Sequence, residues 1–179
     1  QEDNPSELAF NSDGTKMFVV GITGDDINEY TLSTGFDVST ASYDSNFSIT
    51  SQELEPTGLT FSTDGKKMFV TGNGGNDVNE YTLSTGFDVS TASFVDSFDV
   101  SGQDNNPRAI AFNNDGTKMF IAGNGGNDIN EYTLTSPFSL VNISGEHSGD
   151  VIDTNSTTNY DTDVDVETLT VTAVRKGSS

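Results

Sequence analysis

Pro56-Thr57-Gly58-Leu59-Thr60-Phe61-Ser62-Thr63-Asp64-Gly65-Lys66-Lys67-Met68-Phe69-Val70 is the stretch whose reading decides the fold. Leu59-Thr60-Phe61 alternates apolar and polar, the period of a half-buried strand. Ser62-Thr63-Asp64-Gly65 reads as a tight turn, with Asp64 capping it and Gly65 taking a positive φ. Lys67 to Thr71 reads as the second strand of that hairpin. Beyond it, Gly72-Asn73-Gly74-Gly75-Asn76-Asp77 is a loop that no regular element would tolerate. Val78 to Leu83 is expected to be a third strand, Ser84 to Asp88 a turn, and Phe94 to Val100 a fourth strand.

The same text occurs three times. Asp13-Gly14, Asp64-Gly65 and Asp115-Gly116 are spaced by 51 residues. Pro5, Pro56 and Pro107 keep that spacing, as do Asn28-Glu29-Tyr30, Asn79-Glu80-Tyr81 and Asn130-Glu131-Tyr132. A repeat of this length is one supersecondary unit, and each copy buries its apolar face only against a neighbour. Four antiparallel strands per copy joined by short turns is the plan of a propeller blade. The 3.6-residue period of helical repeats is absent. The fold class expected is therefore all-β, a β-propeller of four-stranded antiparallel blades. Phe10, Phe61 and Phe112, with Phe18, Phe69 and Phe120, are expected to form the layers between sheets. Closed propellers have about four to eight blades, whereas three copies leave two apolar faces and bare edges. Two chains paired as a homodimer would close six blades; missing blades in a longer parent chain are the other solution.

Bulk properties narrow the function classes. The chain has 179 residues, 28 acidic and 7 basic, for a formal charge of −21. Such a surface repels nucleic acid and anionic membranes and suits a salt- or calcium-rich medium. No Cys is present, so disulfides and thiolate metal sites are excluded. No run reaches the roughly 20 apolar residues of a membrane helix. The chain opens on Gln1 without a signal peptide, and a processed chain or an excised piece is expected.

The blade string, Pro-x-x-Leu/Ile-x-Phe-x-x-Asp-Gly-x-Lys-Met-Phe-Val/Ile followed by a Gly/Asn loop and Asn-Glu-Tyr-x-Leu, resembles the NHL and YVTN-like β-propeller repeats of bacterial extracellular proteins. It runs from Pro5 to about Phe138. The C-terminal run Tyr160 to Val174, with Asp161, Asp163 and Asp165 before Thr168-Leu169-Thr170-Val171, resembles the start of the cadherin-like or VCBS-type repeats of bacterial surface proteins. Val166 stands where that family has Gly. The division that follows is three blades in 1–141 (about 5–55, 56–106 and 107–141), a linker over 142–159, and a strand segment over 160–179. That last segment either completes the last blade or opens a truncated cadherin-like domain. The two resemblances imply an extracellular or cell-surface bacterial protein, marine or otherwise salt-exposed. They imply a non-enzymatic binding or structural module for adhesion, protein or glycan contact. The alternatives are a propeller-type lyase or hydrolase acting on polysaccharide, and a pure spacer.

Candidate sites are few, and none is catalytic. Asp161, Asp163 and Asp165 place three carboxylates on alternate residues, which repel unless a cation sits among them, and hard oxygen ligands suit calcium. Asp77 and Asp128 close glycine loops that partly match the calcium-binding glycine-rich nonapeptide. Against calcium at both places stands an ordinary turn on a solvated acidic surface. His147 is the only His, and it is expected in an exposed Gly/Ser loop. Arg108 is the only Arg in the blades, and it breaks the repeat where Glu7 and Gly58 are read as its counterparts. At the channel mouth it would meet an anionic ligand, or else form a rim ion pair. No cofactor other than calcium is expected.

Overall fold

The computed structural model describes residues 2–141 and 143–149, and they form three four-stranded antiparallel sheets. The first holds β1 (Pro5–Phe10), β2 (Lys16–Gly21), β3 (Asp26–Leu32) and β4 (Ala41–Ser48). The second holds β5 (Pro56–Phe61), β6 (Lys67–Gly72), β7 (Asp77–Leu83) and β8 (Ala92–Asp99). The third holds β9 (Pro107–Phe112), β10 (Lys118–Gly123), β11 (Ile129–Leu134) and β12 (Ile143–Gly149). In each sheet the strands lie in chain order, as in a propeller blade. The first strands converge: β5 lies against both β1 and β9. These three strands are therefore the inner edge of the fan.

The turns explain why the copies are so alike. Gly14, Gly65 and Gly116 take φ of about +70° (71°, 69° and 71°), a conformation that penalises any Cβ. A Cβ on Gly65 would also collide with the Phe87 ring. Phe87 itself sits at φ 58°, rare for an aromatic residue, and its amide donates to the Gly65 carbonyl at 3.0 Å. Phe36 over Gly14 and Phe138 over Gly116 repeat the contact. The Asp-Gly turn and the later Phe turn thus lock one end of every blade. Between that turn and the fourth strand, Val38–Thr40 and Val89–Thr91 form single 3-10 turns capped by Asp37 and Asp88.

Hydrophobic layers fill the spaces between sheets. Phe18 packs on Phe61 with ring centroids 4.5 Å apart, and Phe69 packs on Phe112 at 4.5 Å. Val20, Ile27 and Ile49 of the first blade bury against Met68, Tyr81 and Val89 of the second. Val78 and Val100 of the second bury against Met119, Tyr132 and Leu140 of the third. The expected aromatic layers are therefore present twice, and Phe10 and Phe120 are left on the two outer faces.

The third blade corrects the expected division. Ile143–Gly149, placed within a linker, is the fourth strand of that blade, with Ile129 opposite Gly149 and Leu134 opposite Ile143. Its Gly and Ser content hid it, because backbone pairing to β11 tolerates residues that lack a strand signature. The blade takes its fourth strand from these residues, and the segment 160–179 lies outside the described residues. His147, expected in a loop, lies on β12 opposite Glu131. Asp161, Asp163 and Asp165 lie outside the described residues.

Candidate functional site

The inner strands begin alike and then diverge at one position. Pro5 pairs with Gly21 and Glu7 with Val20, so Ser6 is a bulged residue. Thr57 and Arg108 are bulged in the same way in β5 and β9. A bulge re-aims its side chain. Ser6 Oγ donates to the Pro56 carbonyl of the next blade at 2.7 Å, and Thr57 Oγ1 to the Pro107 carbonyl at 2.8 Å. The counterparts of Arg108 are therefore Ser6 and Thr57, one residue before the Glu7 and Gly58 read from the sequence. Gly58 serves a different need: a Cβ there would press on Thr71 Cγ2 at 2.8 Å and on Ala109 Cα at 3.2 Å.

Arg108 is exposed and makes no ion pair among the described residues. Three of the four described lysines are occupied. Lys67 Nζ meets Glu80 at 2.7 Å, and Lys16 and Lys118 pair with Glu29 and Glu131. Arg108 is thus a free guanidinium at the start of an inner strand, a fork suited to a carboxylate or phosphate.

The glycine loops stand at the same end as Arg108, because Pro107 pairs with Gly123. Each loop is held by a carboxylate of its own chain. Glu53 is buried in the loop before β5 and accepts from the amides of Glu55 at 2.7 Å, Gly74 at 2.8 Å and Gly75 at 3.2 Å. Asp104 does the same for Asn106, Gly125 and Gly126 at 2.6, 3.1 and 3.2 Å. Glu2 does so for Asn4, Thr23 and Gly24 at 2.7, 3.1 and 3.1 Å. Burial raises the Glu2 pKa, but those three amides outweigh it and hold the carboxyl below its ordinary value. Sequence reasoning missed this trio. Its signal was present: an acidic residue three positions before each repeated proline.

That arrangement decides what Asp77 and Asp128 do. Asp77 accepts from Asn79 Nδ2 at 2.8 Å, and Asp128 from Asn130 Nδ2 at 3.1 Å. The loop amides are turned to Glu53 and Asp104, and among the described residues no three His, Asp or Glu side chains converge to hold a metal. In this structure Asp77 and Asp128 are thus tied to their own asparagines, and the loop amides to Glu53 and Asp104. Asp77 is perturbed nonetheless. Burial pushes its carboxyl up to about 6, with Glu53 and Asp99 adding repulsion and Asn79 opposing. Asp25, in the first glycine loop, is raised by burial and then by Glu2, Glu53 and Asp26. The rim around Arg108 is strongly acidic, and Arg108 is its single arginine.

No family model matches the chain, and no curated protein matches it. Solved structures share its fold. Periplasmic gluconolactonase PpgL of Pseudomonas aeruginosa superposes with a TM-score of 0.59 at 15% identity, covering 79% of this chain and 39% of that one. A Bacteroides uniformis protein bearing the name of a 6-phosphogluconolactonase gives 0.64 at 15% identity, covering 84% and 42%. The Swd1 β-propeller domain of Myceliophteria thermophila gives 0.53 at 13%, covering 73% and 38%. The chain spans well under half of the length of each. The likeness shows the fold, an all-β propeller. It also corrects the expectation of a non-enzymatic binding or structural module: two of these propellers bear the names of enzymes, so the fold does not speak for a module without chemistry.

Proposed function

We propose that this chain is part of a propeller-type hydrolase acting on an anionic sugar lactone, with the reaction at the inner mouth of the fan. The observation that carries this reading is Arg108: an exposed guanidinium, without an ion pair among the described residues, on an inner-strand bulge in a chain of net charge −21. Its two counterparts are hydroxyls engaged with the next blade, so the third position is the one free to take a substrate carboxylate or phosphate. Ring opening of a lactone needs a group that takes a proton from water. Asp77, raised to about 6 at the same end, is the rim carboxyl poised for that near neutral pH. The names of the fold neighbours from Pseudomonas and Bacteroides support the substrate class. The blade string's likeness to NHL and YVTN-like repeats supports a place outside the cell.

The test is acid release from gluconolactone and from its 6-phosphate, with and without the protein. Hydrolysis above the spontaneous rate, faster for the phosphate, is expected. Arg108→Ala is expected to raise KM for the phosphate about tenfold, the loss of about 1.4 kcal/mol of binding, and to leave the neutral lactone unchanged. No acceleration of either substrate refutes the reading.

A further inference from the structure

The two internal blade contacts are nearly identical, and each uses different halves of a blade. The trailing half presents a phenylalanine on the second strand and a glutamate on the third. Glu29 Oε2 accepts from the Val89 amide at 2.9 Å, and Glu80 Oε2 from the Leu140 amide at 2.8 Å. Both bonds are buried and both span 60 residues. The leading half presents the amide that follows the Phe turn, a 3-10 turn at Val89 and irregular backbone at Leu140, with a leucine or isoleucine on the inner strand and the Met and Tyr of the second and third strands.

Each half is left over once. On the third blade Glu131 is bonded to Lys118 through Oε1, and among residues 2–141 its Oε2 has no hydrogen-bond partner. Its side chain is 28% exposed, against 1% for both Glu29 and Glu80. Phe120 and Ile129 are only half-buried, where Phe18, Phe69, Ile27 and Val78 are fully buried. On the first blade Val38 is 62% exposed, while its counterparts Val89 and Leu140 are 0% and 4%. Leu8 is 53% exposed, and its counterparts Leu59 and Ile110 are 5% and 8%. Met17 and Tyr30 are half-buried where Met68 and Tyr81 are fully covered.

We propose that the third blade of one chain receives the first blade of a second copy, using the contact already made twice within the chain. Glu131 Oε2 accepts the Val38 amide of that copy, and Phe120 and Ile129 cover its Leu8 and Met17. The surfaces differ from each other, so the contact is head-to-tail, and such a contact must close or polymerise. Two chains close it at six blades, within the range that propellers adopt. Both apolar faces and both unmatched hydrogen-bonding groups are then used.

Light scattering on the intact chain tests this at a salt of about 0.15 M, where the acidic surfaces are screened to about 8 Å. Twice the chain mass is expected. Val38→Asp and Glu131→Ala, each at an exposed or half-exposed position, are expected to give the single mass with an unchanged far-ultraviolet circular dichroism spectrum. Val95→Asp, at an exposed site on β8 away from both faces, is expected to stay dimeric. A wild-type monomer, an open series of larger masses, or a dimer that survives both face variants overturns the proposal. Activity is not read here, so this test stands apart from that of the lactonase reading.

Discussion

Replacing Glu53 with alanine probes the device that shapes the rim. The carboxylate is buried and takes three backbone amides, from Glu55, Gly74 and Gly75. Hydrogen bonds to a charged group are worth about 1.5–3 kcal/mol each when both partners are dry. Here the amides lie in a part-buried loop, and water recovers some of that loss. The variant also sheds the cost of burying a charge. A net loss of about 3 kcal/mol follows. In a domain of this size each kcal/mol moves Tm by about 2–4 °C, so a fall of roughly 10 °C is expected in a thermal scan. Glu2→Ala removes the matching group from the first loop, where the bonds are solvent-exposed, and is expected to cost under about 1 kcal/mol. Calcium is expected to leave both melting temperatures unchanged. A Glu53→Ala protein within about 0.5 kcal/mol of wild type by urea titration, or one restored by calcium, refutes the reasoning that the chain's own carboxylate fills the loop.

Three further outcomes follow from single contacts. Gly65→Ala puts a methyl group at φ 69° and into the Phe87 ring, and is expected to cost more than about 2 kcal/mol in urea unfolding, well above the surface norm. Phe69→Ala opens the layer against Phe112 and is expected to cost about 3–5 kcal/mol by the same assay. Asp77 has a folded-state pKa of about 6 against an ordinary 3.8, so its ionised form opposes folding at neutral pH. Asp77→Asn is expected to raise Tm at pH 7.5, by an amount that shrinks as pH falls through 6 and disappears below about 4; a gain independent of pH contradicts the assignment.

Much of the fold was legible because the repeat reports it three times over. The Asp-Gly turns, the alternation around Phe61 and the Phe pairs each carry a local signal, and agreement among copies removes ambiguity. β12 was not legible, since Ile143–Gly149 is built of turn-forming residues that are strand only through pairing with β11. The site was harder. The equivalence of Ser6, Thr57 and Arg108 follows from the 51-residue spacing, but the bulge that re-aims each of them leaves no trace in the sequence. The glycine loops looked like ligand loops because the acidic residue before each repeated proline is separated by some twenty residues from the loop that it fills. The blade-to-blade ties through Glu29 and Glu80 span 60 residues, beyond any pattern in a single blade.

Those two ties test the account most directly. Amide hydrogen exchange at Val89 and Leu140 is to be followed in the wild type, in Glu29→Ala and in Glu80→Ala, under strongly native conditions. Slow exchange at both amides is predicted for the wild type. Glu29→Ala should speed Val89 and leave Leu140 slow, and Glu80→Ala should do the reverse. If neither variant changes either amide, or if both amides respond alike to both variants, the blades are not stacked through these contacts.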